Sequence, residues 1–408
     1  MERFRTDYIR RRVCAAALAC AAWSAVYASA APPIDEPIVD ARPRVADVDV
    51  SEISDAVPAL SDEFGANGDA IASGQASREK RHDEVYLIST RRLGTLCRPE
   101  RMADGLQCER LEMDGGRAQW RTAAWRDVLQ QLEKPLPKIV YVHGNRVSRG
   151  VDRRHGMLVY RRLPERGPDD LPRQYVIWSW PSDRIRGPLK DYRKKAEMTP
   201  EVGWQLGWML RQLPPDAPTA LVGYSYGASV VASSLHLMAG GRVGNLRLAP
   251  QEQGGDAGEE SVEIVDRVPR HFHVALVAAA CDADWIGQGA HLGRAPQLVD
   301  RMFLLNNRLD PAMRFYHLST PGRSTRAMGY EGPLGLAMRG RQASQVMALD
   351  MTDKVGRSHA LEQYLAAAPQ LGQFLAHFAD RHSQDDNELA ASKPTSSSVS
   401  QRNMARRQ

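Results

Sequence analysis

The chain has 408 residues, of which 43% are hydrophobic, 25% charged and 7% aromatic; that is enough apolar material for a sizeable core and excludes a small disulfide-stapled scaffold. Lys and Arg number 54 against 49 Asp and Glu, a formal charge of +5, but Arg3, Arg5, Arg10, Arg11 and Arg12 crowd the N-terminus. The first thirty residues carry five positive and two negative charges, so without them the balance falls to +2 and a nucleic-acid partner loses its main support.

That N-terminus reads as an export signal at 1–30: a basic stretch, an apolar run from Val13 to Ala22, then Ala28-Ser29-Ala30, the small-x-small pattern cut by a signal peptidase. The expected location is therefore periplasmic or extracellular. The same segment also admits a retained N-terminal membrane anchor, a lipid anchor on Cys20, or a twin-arginine signal. No later segment approaches the roughly 20 apolar residues that span a bilayer, so no transmembrane segment is expected in the mature chain.

Residues 31–81 are rich in Pro, Asp, Ala and Ser without a sustained apolar period and read as a flexible spacer. The segments 382–408 and 251–260 share that character, which leaves 82–381 as the folded unit. Of its cysteines, Cys97 and Cys108 either close a short disulfide loop or remain thiols beside Cys281. The absence of C-x-x-C and H-E-x-x-H indicates no zinc or haem site, and no cofactor is expected.

Short apolar β-branched runs alternate with amphipathic stretches through the unit. Strands are expected at Glu84 to Thr90, Lys138 to His143, Gln174 to Trp180, Thr219 to Tyr224, His273 to Cys281, Arg301 to Asn306 and Gln345 to Asp350. Helices are expected at Asp152 to Leu163, Pro200 to Leu213, Ala228 to Met238 and Ala360 to Phe378, with Thr199-Pro200 as the start signal of the second. The alternation argues for an α/β, doubly wound sheet, whose chemistry belongs beyond the carboxyl ends of the strands.

At one such end stands Gly223-Tyr224-Ser225-Tyr226-Gly227, a G-x-S-x-G between a strand and a helix-compatible segment. The turn is so tight that the serine takes strained backbone angles, and the flanking glycines let strand and helix approach. A serine hydroxyl needs a general base oriented by a carboxylate. His359, in the turn Gly356-Arg357-Ser358-His359 after the last strand, is preferred to His377 and His382. Asp310, after the strand ending at Asn306, is preferred as the acid, with Asp282 and Asp284, and Asp350 or Asp353, as competitors. An oxyanion hole requires two N–H groups, expected from Tyr226 and from Asn145 in the strand end His143-Gly144-Asn145. Trp178, Trp180, Tyr224 and Tyr226 either line an acyl pocket or pack the core, and Arg146, Arg149, Arg153 and Arg154 either attract an anionic substrate or form a solvated face.

Val140-Tyr141-Val142-His143-Gly144-Asn145, the G-x-S-x-G, Asn307-Arg308-Leu309-Asp310-Pro311 and Gly356-Arg357-Ser358-His359 together resemble the α/β-hydrolase superfamily, and more narrowly a bacterial branch of exported serine hydrolases without an assigned substrate. The resemblance covers about residues 84 to 380. It implies an α/β-hydrolase fold with a mostly parallel eight-stranded sheet and helices on both faces, and a nucleophile, acid and base at Ser225, Asp310 and His359. The stretch from Phe315 to Ala343 and the insert at 251–260 depart from the family pattern and bear on the lid. The expected activity is an esterase or lipase-like reaction through an acyl-enzyme on a small-molecule or lipid ester. Acyl transfer on the same triad, and a hydrolase-like scaffold serving as an envelope binding protein, are the competing readings.

Overall fold

The structure is a computed structural model that describes residues 83–114, 117–164, 171–248, 272–287, 289–319, 326–334, 346–376 and 378. The signal at 1–30, the spacer at 31–81, the insert at 251–260, the tail at 382–408, His377 and His382 lie outside the described residues. Of the stretch 315–343, only 315–319 and 326–334 are described.

Among the described residues nine strands form one sheet: β1 (Glu84–Ser89), β2 (Gln107–Asp114), β3 (Arg117–Ala123), β4 (Lys138–Val142), β5 (Gln174–Ser179), β6 (Thr219–Tyr224), β7 (Phe272–Val277), β8 (Val299–Asn306) and β9 (Val346–Asp350). Their order is β3-β2-β1-β5-β4-β6-β7-β8-β9. The pairings β1–β5, β5–β4, β4–β6, β6–β7, β7–β8 and β8–β9 are parallel, while β1–β2 and β2–β3 are antiparallel. The expectation of eight strands is corrected to nine. The addition is the antiparallel pair β2–β3: β2 mixes Glu109, Arg110 and Glu112 with its apolar residues, and β3 alternates exposed with partly buried positions from Arg117 to Arg121, so neither presents an apolar run. Its outer strand carries Arg117 and Arg121 at the sheet edge, where charge discourages further pairing.

The central strands β4, β5 and β6 are buried along their whole length, as strands covered on both faces must be. Helix α1 (Pro99–Gly105) and α2 (Trp125–Leu132) belong to the β2–β3 side of the chain. Helix α3 (Val151–Tyr160) lies on β5: the Tyr175 hydroxyl donates to the Gly156 carbonyl at 2.8 Å, and a Cβ at Gly156 would sit 2.4 Å from Ile177 Cδ1. Helices α4 (Pro188–Leu210) and α5 (Tyr226–Met238) pack on each other so closely that a Cβ at Gly203 would lie 2.6 Å from Ser233 Cβ.

Helix α4 begins twelve residues before the expected start at Pro200, because Gly187-Pro188 supplies the same proline-at-first-turn signal earlier. Pro200 is inside the helix and cannot donate to the Ala196 carbonyl four residues back. The Thr199 hydroxyl donates there instead, at 3.0 Å, so the residue that looked like a cap repairs the helix interior. The segment expected as one helix from Ala360 is interrupted: α9 (Leu361–Ala367) stops before Pro369 and helical residues resume at 370. Three short helices, α6 (Pro311–Arg314), α7 (Met328–Glu331) and α8 (Thr352–Val355), lie in the loops beyond β8 and β9.

Cys97, Cys108 and Cys281 are all free thiols, so the Cys97–Cys108 bridge does not form. The Cys97 sulfur faces α4, hydrogen-bonding the Glu201 carbonyl at 3.6 Å. Burial pushes the Cys97 and Cys108 thiols up to about 12.

Candidate active site

The chain runs from β4 outward to β5, then crosses to β6 on the other side of β4, which makes the β4/β6 boundary the place where the winding reverses. A crevice forms at such a reversal, beyond the carboxyl ends of the strands. Four loops meet there: 143–147 after β4, Ser225 after β6, 307–310 after β8 and 351–359 after β9.

Ser225 has φ 55° and ψ −122°, a sparsely populated region for a residue with a side chain. Its surroundings enforce that conformation. Its N–H donates to the Val277 carbonyl at 2.9 Å, and its own carbonyl accepts from the N–H groups of Ala228 (3.0 Å) and Ala280 (3.1 Å). A Cβ at Gly227 would lie 2.1 Å from the Val142 carbonyl oxygen, and one at Gly223 would lie 2.7 Å from Ala228 Cα. Glycine at both positions is therefore a steric requirement of the turn.

The structure brings Ser225, His359 and Asp310 into one chain of hydrogen bonds. Ser225 Oγ lies 3.0 Å from His359 Nε2, and His359 Nδ1 lies 2.7 Å from Asp310 Oδ2. With Nδ1 protonated and donating to the carboxylate, Nε2 is left as the acceptor facing the serine hydroxyl, a tautomer assigned from this network. Asp310 is wholly buried; its Oδ1 accepts from the N–H groups of Ala312 (2.9 Å) and Met313 (3.1 Å), capping α6, while Oδ2 takes His359 and the Tyr364 hydroxyl (2.8 Å). The residue is thus both a helix cap and the partner of the imidazole.

The competing carboxylates lie in other settings. Asp350 accepts from the Thr352 N–H at 2.9 Å, Asp353 and Asp284 are exposed, and Asp282 lies in an isolated bridge to Ala327.

Three further residues hold His359 and Asp310 in place. Asn307 Nδ2 donates to the Gly356 carbonyl at 2.8 Å, tying the loop after β8 to the loop after β9. The Tyr224 ring stacks on the His359 imidazole, centroids 5.3 Å apart, and its hydroxyl donates to the His359 carbonyl. Tyr364 reaches Asp310 from α9; burial and the neighbouring carboxylate raise its proton affinity, so it remains a donor. Asn307 and Tyr224 stand within motifs that carry the signal, whereas nothing in the pattern around Tyr364 marks it.

The Tyr226 N–H opens α5, where a first-turn N–H has no intrahelical acceptor. Gly144 sits against Ser225: a Cβ there would lie 2.9 Å from Ser225 Cβ, so the Gly144–Asn145 peptide runs beside it. His143 below it is fully buried and accepts the Trp180 N–H on Nε2 (3.1 Å), while its Nδ1 faces the Gly144 carbonyl (2.9 Å). Burial drives its pKa down to about 3, so it is a neutral strut.

Trp178 and Trp180 are fully buried core residues, and Trp180 Nε1 donates to the His143 carbonyl at 2.8 Å; the acyl-pocket alternative does not hold for them. Tyr226 is buried and donates its hydroxyl to the Tyr192 carbonyl at 3.3 Å. Among the four arginines, Arg146 pairs with buried Asp191 at 2.8 Å, Arg153 and Arg149 with Glu109 at 2.5 and 3.7 Å, and Arg154 is exposed. Among the described residues no cluster of His, Cys, Asp and Glu could hold a metal ion, and no helix is long and apolar enough to cross a membrane.

No protein-family model and no curated protein matches the chain. Among solved structures it is similar to a C6-C4 SN3 inhibited esterase B from Lactobacillus rhamnosis, at 13% identity and a TM-score of 0.33, over 77% of this chain and 92% of that one.

Proposed function

We propose that the protein is a serine hydrolase of the α/β-hydrolase type that cleaves a carboxylic ester through an acyl-enzyme on Ser225. The observation that carries this reading is the unbroken run from Ser225 Oγ to His359 Nε2 (3.0 Å) and from His359 Nδ1 to Asp310 Oδ2 (2.7 Å), built on a strained elbow at the reversal of the sheet.

In this mechanism Ser225 Oγ attacks the ester carbonyl carbon as its proton passes to His359 Nε2. The imidazolium is stabilised by the buried Asp310 carboxylate. The carbonyl oxygen becomes an oxyanion that accepts from the N–H groups of Tyr226 and Asn145, each such donor being worth about 3 kcal/mol in the transition state. His359 then gives the proton to the departing alkoxide, leaving an acyl-Ser225. Water, deprotonated by the same Nε2, attacks that acyl group; the acid leaves and Ser225 Oγ regains its proton.

The N-terminal segment 1–30 directs export on this reading, and the enzyme works outside the cytoplasm; its support is the sequence of basic, apolar and small-residue blocks ending at Ala30. N-terminal sequencing of the fractionated protein tests it, with a chain beginning at Ala31 expected outside the cytoplasm.

A fluorophosphonate probe should label the purified protein at Ser225 and abolish ester hydrolysis. Equal labelling of Ser225→Ala would sink the assignment.

A further inference from the structure

The loop that offers the Asn145 N–H is itself held by a residue outside the triad, on the first turn of α4. Asp191 is wholly buried, and its carboxylate takes three described donors: the Ile185 N–H on Oδ1 at 3.1 Å, and on Oδ2 Arg146 Nε at 2.8 Å and Asn145 Nδ2 at 3.3 Å. The Asn145 side chain is pinned at both ends, because its Oδ1 accepts the Arg146 N–H at 2.7 Å. That same N–H also reaches the Ser182 carbonyl at 2.8 Å.

Arg146 has φ 57°, in the left-handed region that a long side chain seldom adopts. The conformation persists because its surroundings fix it. The guanidinium is drawn to Asp191 and lies over the Tyr192 ring, 4.8 Å from the centroid. Tyr192 in turn supplies the carbonyl that receives the Tyr226 hydroxyl, and the two rings are 6.3 Å apart. Two adjacent residues of one helical turn therefore grip both sides of the crevice mouth: Asp191 holds Asn145 and Arg146, and Tyr192 holds Tyr226.

We infer that Asp191 is a positioning residue for the oxyanion hole, acting through Arg146 and Asn145 to hold the Gly144–Asn145 peptide against Ser225. The inference rests on the serine-hydrolase reading above. Asp191 touches no reacting atom. Removing its charge frees the Arg146 backbone to leave the left-handed region, and the Asn145 N–H then turns away from the place where negative charge develops. Ground-state binding, which does not need that N–H, is unaffected.

The test measures phosphonylation of Ser225 by a fluorophosphonate, whose P–O oxygen takes the place of the ester oxyanion, in the purified wild type, Asp191→Asn, Arg146→Gln and the double variant. Each single variant should lower kinact by roughly 10- to 100-fold, the scale of a misplaced reacting group. KI should stay within about twofold. The double variant should fall no further than the worse single one, since both changes cut the same link. Unchanged kinact in Asp191→Asn, a loss carried by KI, or effects that multiply in the double variant would each overturn the inference. Should Asp191→Asn fail to fold, Arg146→Gln, at a partly exposed side chain, decides by the same two constants. Failure of the wild type itself to react at Ser225 is a separate outcome; it removes the hydrolase reading and the inference with it.

Discussion

Tyr364 donates its hydroxyl to Asp310 at 2.8 Å, on the same carboxylate oxygen that receives His359 Nδ1 at 2.7 Å. The phenol is fully buried, and burial beside the carboxylate raises its proton affinity, so it stays a donor. It fixes the rotation of the Asp310 carboxylate, and through it the plane of the imidazole. Tyr364→Phe removes a hydrogen bond to a charged group, worth about 1.5–3 kcal/mol. Expected are a loss of that order in unfolding free energy and a fall of about tenfold in kcat at nearly constant KM. A variant with wild-type kcat would show that the two α6 N–H groups on Oδ1 suffice to orient the acid.

Ser225 pays for its place with backbone strain, and relieving that strain should stabilise the fold while ending catalysis. The strained φ costs roughly 1–3 kcal/mol, against the roughly 0.5–1 kcal/mol of unfolded-state entropy that a glycine adds. Ser225→Gly should therefore melt at a higher temperature than the wild type, by a few degrees, with no hydrolysis. Ser225→Ala, which keeps the strain, should lose activity without a comparable rise. Calorimetry on both variants distinguishes strain relief from any effect of the lost hydroxyl; equal melting temperatures would argue against stored strain.

Most of the sheet was legible because its strands are buried on both faces: runs such as Ile139-Val140-Tyr141-Val142 and Val274-Ala275-Leu276-Val277 have no amphipathic competitor. The pair β2–β3 was not, since Glu109, Arg110 and Glu112 interrupt any apolar run there. Thr199-Pro200 misled because the same residue pair that starts a helix can also mend one, and only the position of the Ala196 carbonyl tells them apart. Ser225, Asp310 and His359 each stand in a local turn motif and could be singled out. Tyr364 and Asp191 act across 54 and 45 residues of chain, on Asp310 and Arg146; the pattern around Tyr364 shows only a helix, and Asp191 precedes the helix start expected at Pro200.

The approach of α5 to β4 should make Gly227 intolerant of any side chain. A Cβ there would meet two backbone carbonyl oxygens, Val142 at 2.1 Å and His143 at 2.8 Å, and neither can swing away as a side-chain end would. Gly227→Ala is expected to cost at least about 3 kcal/mol, the upper end for overpacking a well-packed site. Gly94→Ala is the control: its φ of +58° is strained for alanine but its Cβ would meet nothing, so it should cost only about 1 kcal/mol. Chemical denaturation of the two variants should separate them by about 2 kcal/mol or more. Comparable losses would mean that the helix can retreat from the strand.

His143 should make the fold acid-sensitive in a defined window. Burial lowers its pKa to about 3, with the nearby Arg91 charge acting in the same direction and the Gly144 carbonyl opposing it. An unfolded histidine titrates near 6.5, so below that pH the unfolded chain takes up a proton that the folded one does not. The stability from keeping His143 neutral is full above about pH 6.5 and is lost as pH falls toward 3, at up to about 1.4 kcal/mol per unit. Burial lowers the pKa of His155 and His236 as well, which adds to the same trend. His143→Asn, which can still donate to the Gly144 carbonyl, should be less stable than wild type at pH 7.5. Between pH 6.5 and 5 it should lose about 1.6 kcal/mol less than wild type, because the carboxylate contributions are common to both chains. Denaturant titrations at three pH values measure the difference, and parallel curves for the two proteins would show that His143 takes up its proton without leaving its buried site.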